Sequence, residues 1–308
     1  MAAAKSVVLL MLALCVSCCV LARGEEKDSA KESFYEQLCR AVIRLEHIEV
    51  IFHSDRIPKV HTPTGTAFFV RRGNELYVVS ARHVAQKGHD WDSRVQLRNA
   101  RTGDTVVARL ELPSSAWTYH PDSGDANTHY VDVAAMKIRV RNPYLPKCFL
   151  YEPTDPNANE KNQLPPTDVE PPEPVLIFGF PVDLGFQLAE QRPLARFGIM
   201  SMSAGKEFLT VSINGVRKSV EERCCLIDAR MFPGNSGSPV MNQLRLGDSK
   251  PRLLGLVTAT NRGLDFGVIE PVSRIRETLD LTKAKTAAGS WSWIPQEVST
   301  VDEPNEPD

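Results

Sequence analysis

Apolar and polar residues alternate along much of the chain in short segments, a period of two that is typical of half-buried β-strands. Turn-forming clusters of Gly, Asn, Asp and Ser separate the first segments, which read GTAFFV, ELYVVS, RVQLR, DTVVARLEL and VDVAAMKI. A second set reads VLIFGF, ARFGIMS, EFLTVSI, CCLIDARM, RLLGLVTAT and DFGVIEP, and a helical pattern follows from Val272 to about Lys285. This spacing predicts an all-β barrel or sandwich and not a series of βαβ units.

A proline-rich stretch, residues 152–174, divides the two sets of strands. It has no hydrophobic period, and its prolines cannot join a sheet, so it is predicted to be a linker. We therefore expect a first β-barrel over residues 41–151 and a second β-barrel with the C-terminal helix over residues 175–288. A short N-terminal segment, residues 25–40, precedes them, and an acidic tail, residues 289–308, is expected to be mobile.

An apolar run from Val7 to Leu21, preceded by a lysine, predicts a secretory signal peptide over residues 1–24. The run is shorter than the roughly 20 residues that cross a bilayer comfortably, so no stable membrane span is expected after cleavage. Cleavage could follow Ala22 or Gly24, and an uncleaved anchor or lipid attachment to a cysteine of the run are the disfavoured alternatives. The protein is thus expected to be secreted or periplasmic.

Composition narrows the function classes further. The 308 residues are 42% hydrophobic and 24% charged, and 36 basic against 38 acidic residues give a net charge of −2. The chain has no long block of like charge, so no surface for binding nucleic acid is predicted. Four cysteines remain after removal of the signal peptide, and they allow three disulfide pairings or buried thiols: Cys39, Cys148, Cys224 and Cys225. Their spacing fits no metal site, and no cofactor is predicted.

The segment from Phe232 to Pro239, FPGNSGSP, lies between two predicted strands and carries the first candidate chemistry. Gly234 and Gly237 permit the backbone angles and close contacts of a tight turn. The loop Gly234, Asn235 and Ser236 can then form an oxyanion hole, with the amides of Gly234 and Ser236 converging on one point. The same composition also occurs in ordinary turns. We predict Ser236 as a nucleophile.

A histidine and an aspartate at strand ends complete the candidate constellation. His83 directly follows the apolar strand of YVVSARHV, where the strand would fix the position of a general base that takes and returns a proton near neutral pH. Asp132 opens the strand VDVAAMKI, and a carboxylate at the edge of a core needs a compensating hydrogen bond. The imidazole N–H of His83 would supply that bond and fix its tautomer.

These motifs, in the order His, Asp, Ser, resemble those of the trypsin-like serine peptidases, in particular the bacterial-type branch related to the HtrA and Deg proteases. The resemblance covers about residues 40 to 280. It implies two six-stranded antiparallel β-barrels, a C-terminal helix and a serine endopeptidase that cleaves peptides or proteins through an acyl-enzyme. Asn235 departs from the digestive-type members, which have an aspartate that pairs with a new amino terminus, so that form of activation is not expected.

The resemblance also suggests substrate-binding residues. Val257, Thr258 and Ala259 would form the wall of a specificity pocket that suits small or medium hydrophobic side chains. Arg230 would favour acidic side chains if it faced the pocket, whereas a solvent-facing arginine would not.

Two other function classes are open to the same sequence. A non-catalytic pseudoprotease would keep the fold and bind peptides or proteins. A hydrolase of another fold is disfavoured, because the Gly-x-Ser-x-Gly elbow of such enzymes is absent.

Overall fold

The computed structural model describes fifteen stretches of the chain: residues 34–50, 59–87, 90–99, 102, 104–123, 131–139, 144–146, 149–151, 171–182, 192–202, 209–213, 216–220, 224–242, 253–261 and 266–293. Contacts divide the chain into two compact units, Met1–Gln37 and Leu38–Asp308. Only the start of a helix is described in the first unit, and every described strand belongs to the second. The predicted signal peptide and most of the predicted linker lie outside the described residues.

Strands dominate the described residues, as the period of two predicts. The helices are α1 (Phe34–Ala41), α2 (Arg82–Ala85) and α3 (Val272–Thr282). The strands of the N-terminal half are β1 (Val42–Val50), β2 (Lys59–Arg72), β3 (Glu75–Ser80), β4 (Trp91–Asn99), β5 (Thr105–Leu112), β6 (Thr118–Tyr119), β7 (Ala134–Ile138), β8 (Tyr144–Pro146) and β9 (Phe149–Tyr151). The strands of the C-terminal half are β10 (Glu173–Gly179), β11 (Leu194–Met202), β12 (Leu209–Ile213), β13 (Val216–Val220), β14 (Cys225–Asp228), β15 (Pro239–Asn242), β16 (Leu253–Asn261), β17 (Phe266–Pro271) and β18 (Ser290–Trp293).

The strands form two main sheets with related topology. The second is a closed barrel in the order β10-β11-β14-β17-β16-β15. The first is a ten-stranded half-barrel in the order β18-β5-β4-β1-β2-β3-β7-β6, with β8 beside β4 and β9 parallel to β2. Six of its strands, β5-β4-β1-β2-β3-β7, repeat the circular order of the closed barrel. The predicted all-β, two-barrel fold is confirmed, and the first half carries strands in addition to the six expected.

The alternation of buried and exposed side chains along β4 shows how the sequence fixes the register of a strand. Trp91, Val95 and Leu97 are buried, whereas Arg94 and Arg98 are exposed. Successive side chains of a strand point to opposite faces, so a shift of one residue would expose the apolar side chains and bury the charged ones. The pattern therefore fixes the register of the strand. The apolar face joins a core that extends to Phe178 and Phe180 of the second half.

Helix α3 confirms the predicted C-terminal helix and packs against strands of both halves. Val272, Ile275 and Leu279 are buried at the spacing of one helix face. The helix contacts β6 and β7 of the first sheet and β16 and β17 of the second. It therefore holds the two sheets in a fixed relation, which a site built from both of them requires.

Strand β18 departs from the sequence prediction, which places residues 290–293 in a mobile acidic tail. They pair with β5, and Ala288 just before them forms a bridge with Ile138 of β7. The indole of Trp291 stacks on Phe69 at 6.5 Å between ring centroids, and its Nε1 donates to the carbonyl oxygen of Arg139 at 2.8 Å. The contacts of Trp291 give this short segment apolar surface with which it joins the sheet.

Of the four cysteines that follow the predicted signal peptide, three lie in the described part of the chain. Cys39, Cys224 and Cys225 are all buried, and Cys148 lies outside the described residues. Burial raises the pKa of the Cys224 thiol to about 11, so this side chain is protonated near neutral pH.

Candidate active site

His83 and Asp132 meet at the ends of two paired strands. Ser80, the last residue of β3, lies opposite Ala134, the first of β7, so the residues just outside both strands are neighbours. The backbone N–H of His83 donates to Oδ1 of Asp132 at 2.8 Å, and His83 Nδ1 lies 2.5 Å from Oδ2. Asp132 is only 4% exposed. The carboxylate therefore has its compensating bonds from His83, as the sequence predicted.

This contact fixes the histidine tautomer. A carboxylate only accepts hydrogen bonds, so Nδ1 of His83 must carry the proton that it donates to Asp132. The other ring nitrogen, Nε2, is then left with a lone pair. The ring is part-exposed, so Nε2 can accept a proton from a group outside the core.

A second carboxyl group, which the sequence analysis did not single out, lies behind Asp132. Oε1 of Glu270, on β17, accepts the backbone N–H of Asp132 at 3.1 Å, and Glu270 is 6% exposed. Burial raises the pKa of Glu270 to about 8; the Asp132 carboxylate adds to the rise and the hydrogen bond from the Asp132 N–H opposes it. Glu270 is therefore largely protonated near neutral pH.

The raised pKa makes folding pH-dependent. Because the folded protein keeps a proton that the unfolded chain loses above about pH 4.5, the free energy of unfolding falls as pH rises towards about 8. Glutamine mimics the protonated acid, so Glu270→Gln should gain stability relative to the wild type between pH 5 and 8, by on the order of several kcal/mol. Urea unfolding at several pH values measures this difference.

Glu75→Gln is the matched control, because the hydrogen bond from Lys137 lowers the pKa of Glu75. From pH 6 to 8, Glu75 is almost fully ionised in both the folded and the unfolded state. The stability difference between this variant and the wild type should stay constant over that range. A constant difference for Glu270→Gln as well would show that Glu270 is already ionised in the folded protein.

Two consecutive turns shape the loop that carries Ser236. Asn235 N–H donates to the Phe232 carbonyl at 3.0 Å, and Ser238 N–H donates to the Asn235 carbonyl at 2.9 Å. The third residue of each turn is a glycine with positive φ, +92° for Gly234 and +88° for Gly237. These are features of type II turns, in which the third position needs positive φ. The glycines of the motif are thus required by backbone conformation.

The turns leave two amides of this loop, those predicted to bind an oxyanion, without a partner among the described residues. Among the described residues, the backbone N–H groups of Gly234 and Ser236 have no acceptor in the protein, whereas those of Asn235, Gly237 and Ser238 do. The Pro233 carbonyl accepts the N–H of Val182 at 2.8 Å. Since C=O and N–H point in opposite directions across a trans peptide, this bond aims the Gly234 N–H away from Val182.

The Ser236–Gly237 peptide joins the two sheets. Its carbonyl oxygen accepts the N–H of Thr66, on β2, at 3.0 Å, and its N–H donates to the carbonyl of Val257, on β16, at 2.7 Å. Gly65 leaves room for this approach: a Cβ there would lie 2.6 Å from Cγ1 of Val84 and 3.4 Å from the Ser236 carbonyl oxygen. Val84 follows His83 in α2. Gly65 therefore lies between α2 and the serine loop, where a larger side chain would not fit.

The Ser236 hydroxyl itself points to a different partner. Its Oγ donates to the Thr258 carbonyl oxygen at 3.5 Å, and no hydrogen bond to His83 occurs in the described residues. The structure thus joins His83 and Asp132 directly and brings the backbone of the Ser236 loop next to them. Hydrogen bonds between a nucleophile and its base are often long before substrate binds.

The predicted pocket-wall residues on β16 differ in environment. Val257 is 1% exposed and its side chain belongs to the core of the second barrel, so only its backbone is available to a pocket wall. The strand positions its backbone and not its side chain towards the serine loop. Thr258 is buried and its Oγ1 donates to the Val268 carbonyl at 3.4 Å, whereas Ala259 is partly exposed.

Arg230 is exposed and lies in a small cationic cluster with Arg196. The two guanidinium groups lie over the ring of Phe232, at 5.4 Å for Arg230 and 4.1 Å for Arg196. Arg196 also donates to the carbonyl of Arg230 at 2.5 Å. Burial lowers the pKa of Arg196, and the positive charge of Arg230 lowers it further. In the described part of the chain neither arginine pairs with a carboxylate.

The described residues offer neither a metal site nor a membrane helix. No three His, Cys, Asp or Glu side chains among them are arranged to hold a metal ion. Within the same residues, no helix has the length and apolar character that a membrane crossing demands.

Comparison with known proteins agrees with this architecture. The family model of the trypsin-like peptidase domain matches residues 65–245. No curated protein sequence matches the chain significantly. The structure of the HtrA-type protease AlgW with a decapeptide is 15% identical, with a TM-score of 0.50, and the match covers 82% of this chain and 68% of that one. The Rv3671c protease of M. tuberculosis in its active form is 16% identical, with a TM-score of 0.47 and coverage of 82% and 85%.

Proposed function

Because the chain belongs to the trypsin-like peptidase family, we propose that it is a serine endopeptidase that acts through Ser236, His83 and Asp132. The observation that carries this proposal is the buried Asp132 carboxylate, which accepts two hydrogen bonds from His83 beside the glycine turns of the Ser236 loop. A histidine held in this way has Nε2 available as a base.

In the proposed reaction, Oγ of Ser236 turns from Thr258 towards His83 and attacks a peptide carbonyl carbon. The hydroxyl proton moves to Nε2 of His83 as the new C–O bond forms, and the negative oxygen accepts hydrogen bonds from the amides of Gly234 and Ser236. The C–N bond then breaks as Nε2 gives the proton to the leaving amine. Water, deprotonated by Nε2, cleaves the resulting ester and restores Ser236.

A pseudoprotease is the second candidate, and the contact between Ser236 and Thr258 favours it, because that hydroxyl is not bonded to a base. A mixed peptide library incubated with the protein from residue 25 onwards distinguishes the two functions. The endopeptidase cuts internal bonds, and a serine-directed fluorophosphonate stops it. The pseudoprotease retains peptides without cutting them, and that result would overturn the proposed activity.

A peptide is the substrate class that the comparisons support, since AlgW was solved with a decapeptide. The positively charged groups of Arg196 and Arg230 lie over the ring of Phe232, which begins the first of the two glycine turns. This placement further supports a preference for an acidic side chain near the cleaved bond. Small apolar side chains are the alternative, based on the partly exposed Ala259.

Replacement of Arg230 tests the acidic preference. In the peptide library, Arg230→Ala should cut after Glu or Asp about tenfold less efficiently than the wild type, the effect of losing one charge-assisted hydrogen bond. Arg230→Lys keeps the charge and should retain most of the preference. An unchanged cleavage profile in Arg230→Ala would instead place the side chain outside the substrate site and favour small apolar residues.

The proposal includes export to a secreted or periplasmic location, which is supported by the apolar run Val7 to Leu21. Amino-terminal sequencing of the exported protein should find Arg23 or Glu25 as its first residue. An intact Met1 would contradict cleavage.

A further inference from the structure

Thr66 is a polar residue with no exposed surface, and all of its hydrogen-bonding groups are used. Its hydroxyl donates to the Gly234 carbonyl at 2.8 Å and accepts the N–H of Phe180 at 3.0 Å. Its backbone N–H donates to the Ser236 carbonyl at 3.0 Å, and its carbonyl accepts the Ser80 hydroxyl at 2.8 Å. One residue of β2 is therefore bonded to the serine loop twice.

Each backbone carbonyl from Pro233 to Ser236 accepts its own hydrogen bond. Val182 binds the carbonyl of Pro233, and Ser238 binds that of Asn235. Thr66 binds the two carbonyls that alternate with these, those of Gly234 and Ser236. Every peptide unit between Pro233 and Gly237 thus has a fixed direction, and Thr66 fixes half of them.

The direction of these peptides decides where the amides point. The Gly234–Asn235 peptide lies between the two units whose N–H groups, on Gly234 and Ser236, lack an acceptor in the described residues. Rotation of this central peptide would turn the Asn235 N–H away from the Phe232 carbonyl and open the first turn, which sets the direction of the Gly234 N–H. It would also change φ of Asn235, on which the direction of the Ser236 N–H depends. The bond from the Thr66 hydroxyl opposes that rotation.

The same hydroxyl stabilises the loop from the other side. By accepting the N–H of Phe180, it holds the segment that leads to Val182, whose own N–H binds the Pro233 carbonyl. A hydroxyl can donate one hydrogen bond and accept others, so a single side chain serves both segments. Valine has the same shape as threonine but can form neither bond.

From these contacts we infer that Thr66 is a positioning residue that keeps the amides of Gly234 and Ser236 aimed at one oxyanion. This inference rests on the proposed function. Thr66 does not touch the substrate; it acts through the serine loop, so its loss should affect the transition state more than substrate binding.

Thr66→Val is the decisive variant. We expect kcat for a peptide substrate to fall about 100-fold while KM changes less than about threefold, because displaced oxyanion donors affect the reacting state. A peptide boronic acid, which forms a tetrahedral adduct with the serine, should bind about 100-fold more weakly. Thr66→Ser keeps the hydroxyl and should restore both values to within about fivefold of the wild type.

Ser80→Ala is the control for a purely structural effect. It also removes a buried hydrogen bond to Thr66, but at the carbonyl and not at the serine loop. Its midpoint of urea unfolding should fall, as after the loss of other buried hydrogen bonds, with kcat within about threefold of the wild type. If Thr66→Val does not fold, Thr66→Ala is compared with Thr66→Ser in the same assays.

The outcomes separate this inference from the proposed function. If the wild type cleaves peptides and a folded Thr66→Val matches it in kcat and boronic acid affinity, the positioning role is wrong while the endopeptidase stands. A kcat loss in Ser80→Ala as large as that in Thr66→Val would also overturn it, because general destabilisation would then explain both. If the wild type cleaves nothing, the proposed function itself fails.

Discussion

Replacing Ser236 with alanine is expected to lower kcat for peptide hydrolysis by about 10⁶-fold, the loss seen when the nucleophile of a serine protease is removed. Ser238, the other serine of this segment, is fully buried and is not expected to take its place. The fold should be unaffected, because the Ser236 hydroxyl makes only one long bond, to Thr258 at 3.5 Å. Steady-state kinetics and urea unfolding of the variant measure the two effects separately.

Ser201→Ala is the matched control for this variant. Ser201 is exposed on β11, and its hydroxyl also donates to a single backbone carbonyl, that of Ile199 at 3.3 Å. The same chemical change there should leave kcat and stability as in the wild type. Equal activity of Ser236→Ala and Ser201→Ala would assign the nucleophile to another residue.

Replacing Gly237 with alanine should destroy both stability and activity. A Cβ at this position would lie 2.0 Å from the Thr66 carbonyl oxygen and 2.6 Å from the Ser80 hydroxyl, and φ is +88°. The carbonyl belongs to backbone that cannot swing aside, so β2 would have to separate from the serine loop. We expect the free energy of unfolding to fall by more than about 4 kcal/mol and peptide cleavage to be lost.

Gly73→Ala separates the steric conflict from the backbone strain. Gly73 also has positive φ, +57°, but a Cβ there would have no atom within 4 Å. Its replacement should lower the free energy of unfolding by about 1–2 kcal/mol, the cost of alanine in the left-handed conformation. Activity should be unchanged. If urea unfolding gave the two variants the same stability, the close packing of Gly237 against Thr66 would be contradicted.

Residues whose role follows from their immediate sequence neighbours could be predicted. Gly234 and Gly237 flank Ser236 at positions where only a tight turn explains two glycines, and both adopt positive φ. His83 and Asp132 could be matched because each lies at the end of an apolar strand, and the pairing of β3 with β7 brings those ends together.

The residues that act across the fold could not be found in this way. Thr66 is one polar residue in a strand, and its role depends on a contact with a loop 168 positions away. Glu270 did give a signal, an acid that directly follows the apolar residues of FGVI, but its partner is the backbone of Asp132. The sequence could not show that the Val257 side chain fills the core of the second barrel while its backbone faces the serine loop, so its predicted role in substrate binding stays a prediction.

Strand β18 shows the limit of composition as a guide. The tail is acidic and contains prolines, which favours mobility, yet the segment SWSW joins the edge of β5. Period-two alternation of serine and tryptophan is the strand signal within it. The mean composition of residues 289–308 conceals this short element.

The central claim is that Ser236 is activated by His83, and the most direct measurement is the site of reaction with a fluorophosphonate. Mass spectrometry of peptides from the labelled protein should find the phosphonyl group on Ser236, and His83→Ala should not be labelled, because the hydroxyl then has no base. A wild-type protein that stays unlabelled, or one labelled equally fast without His83, would contradict the account.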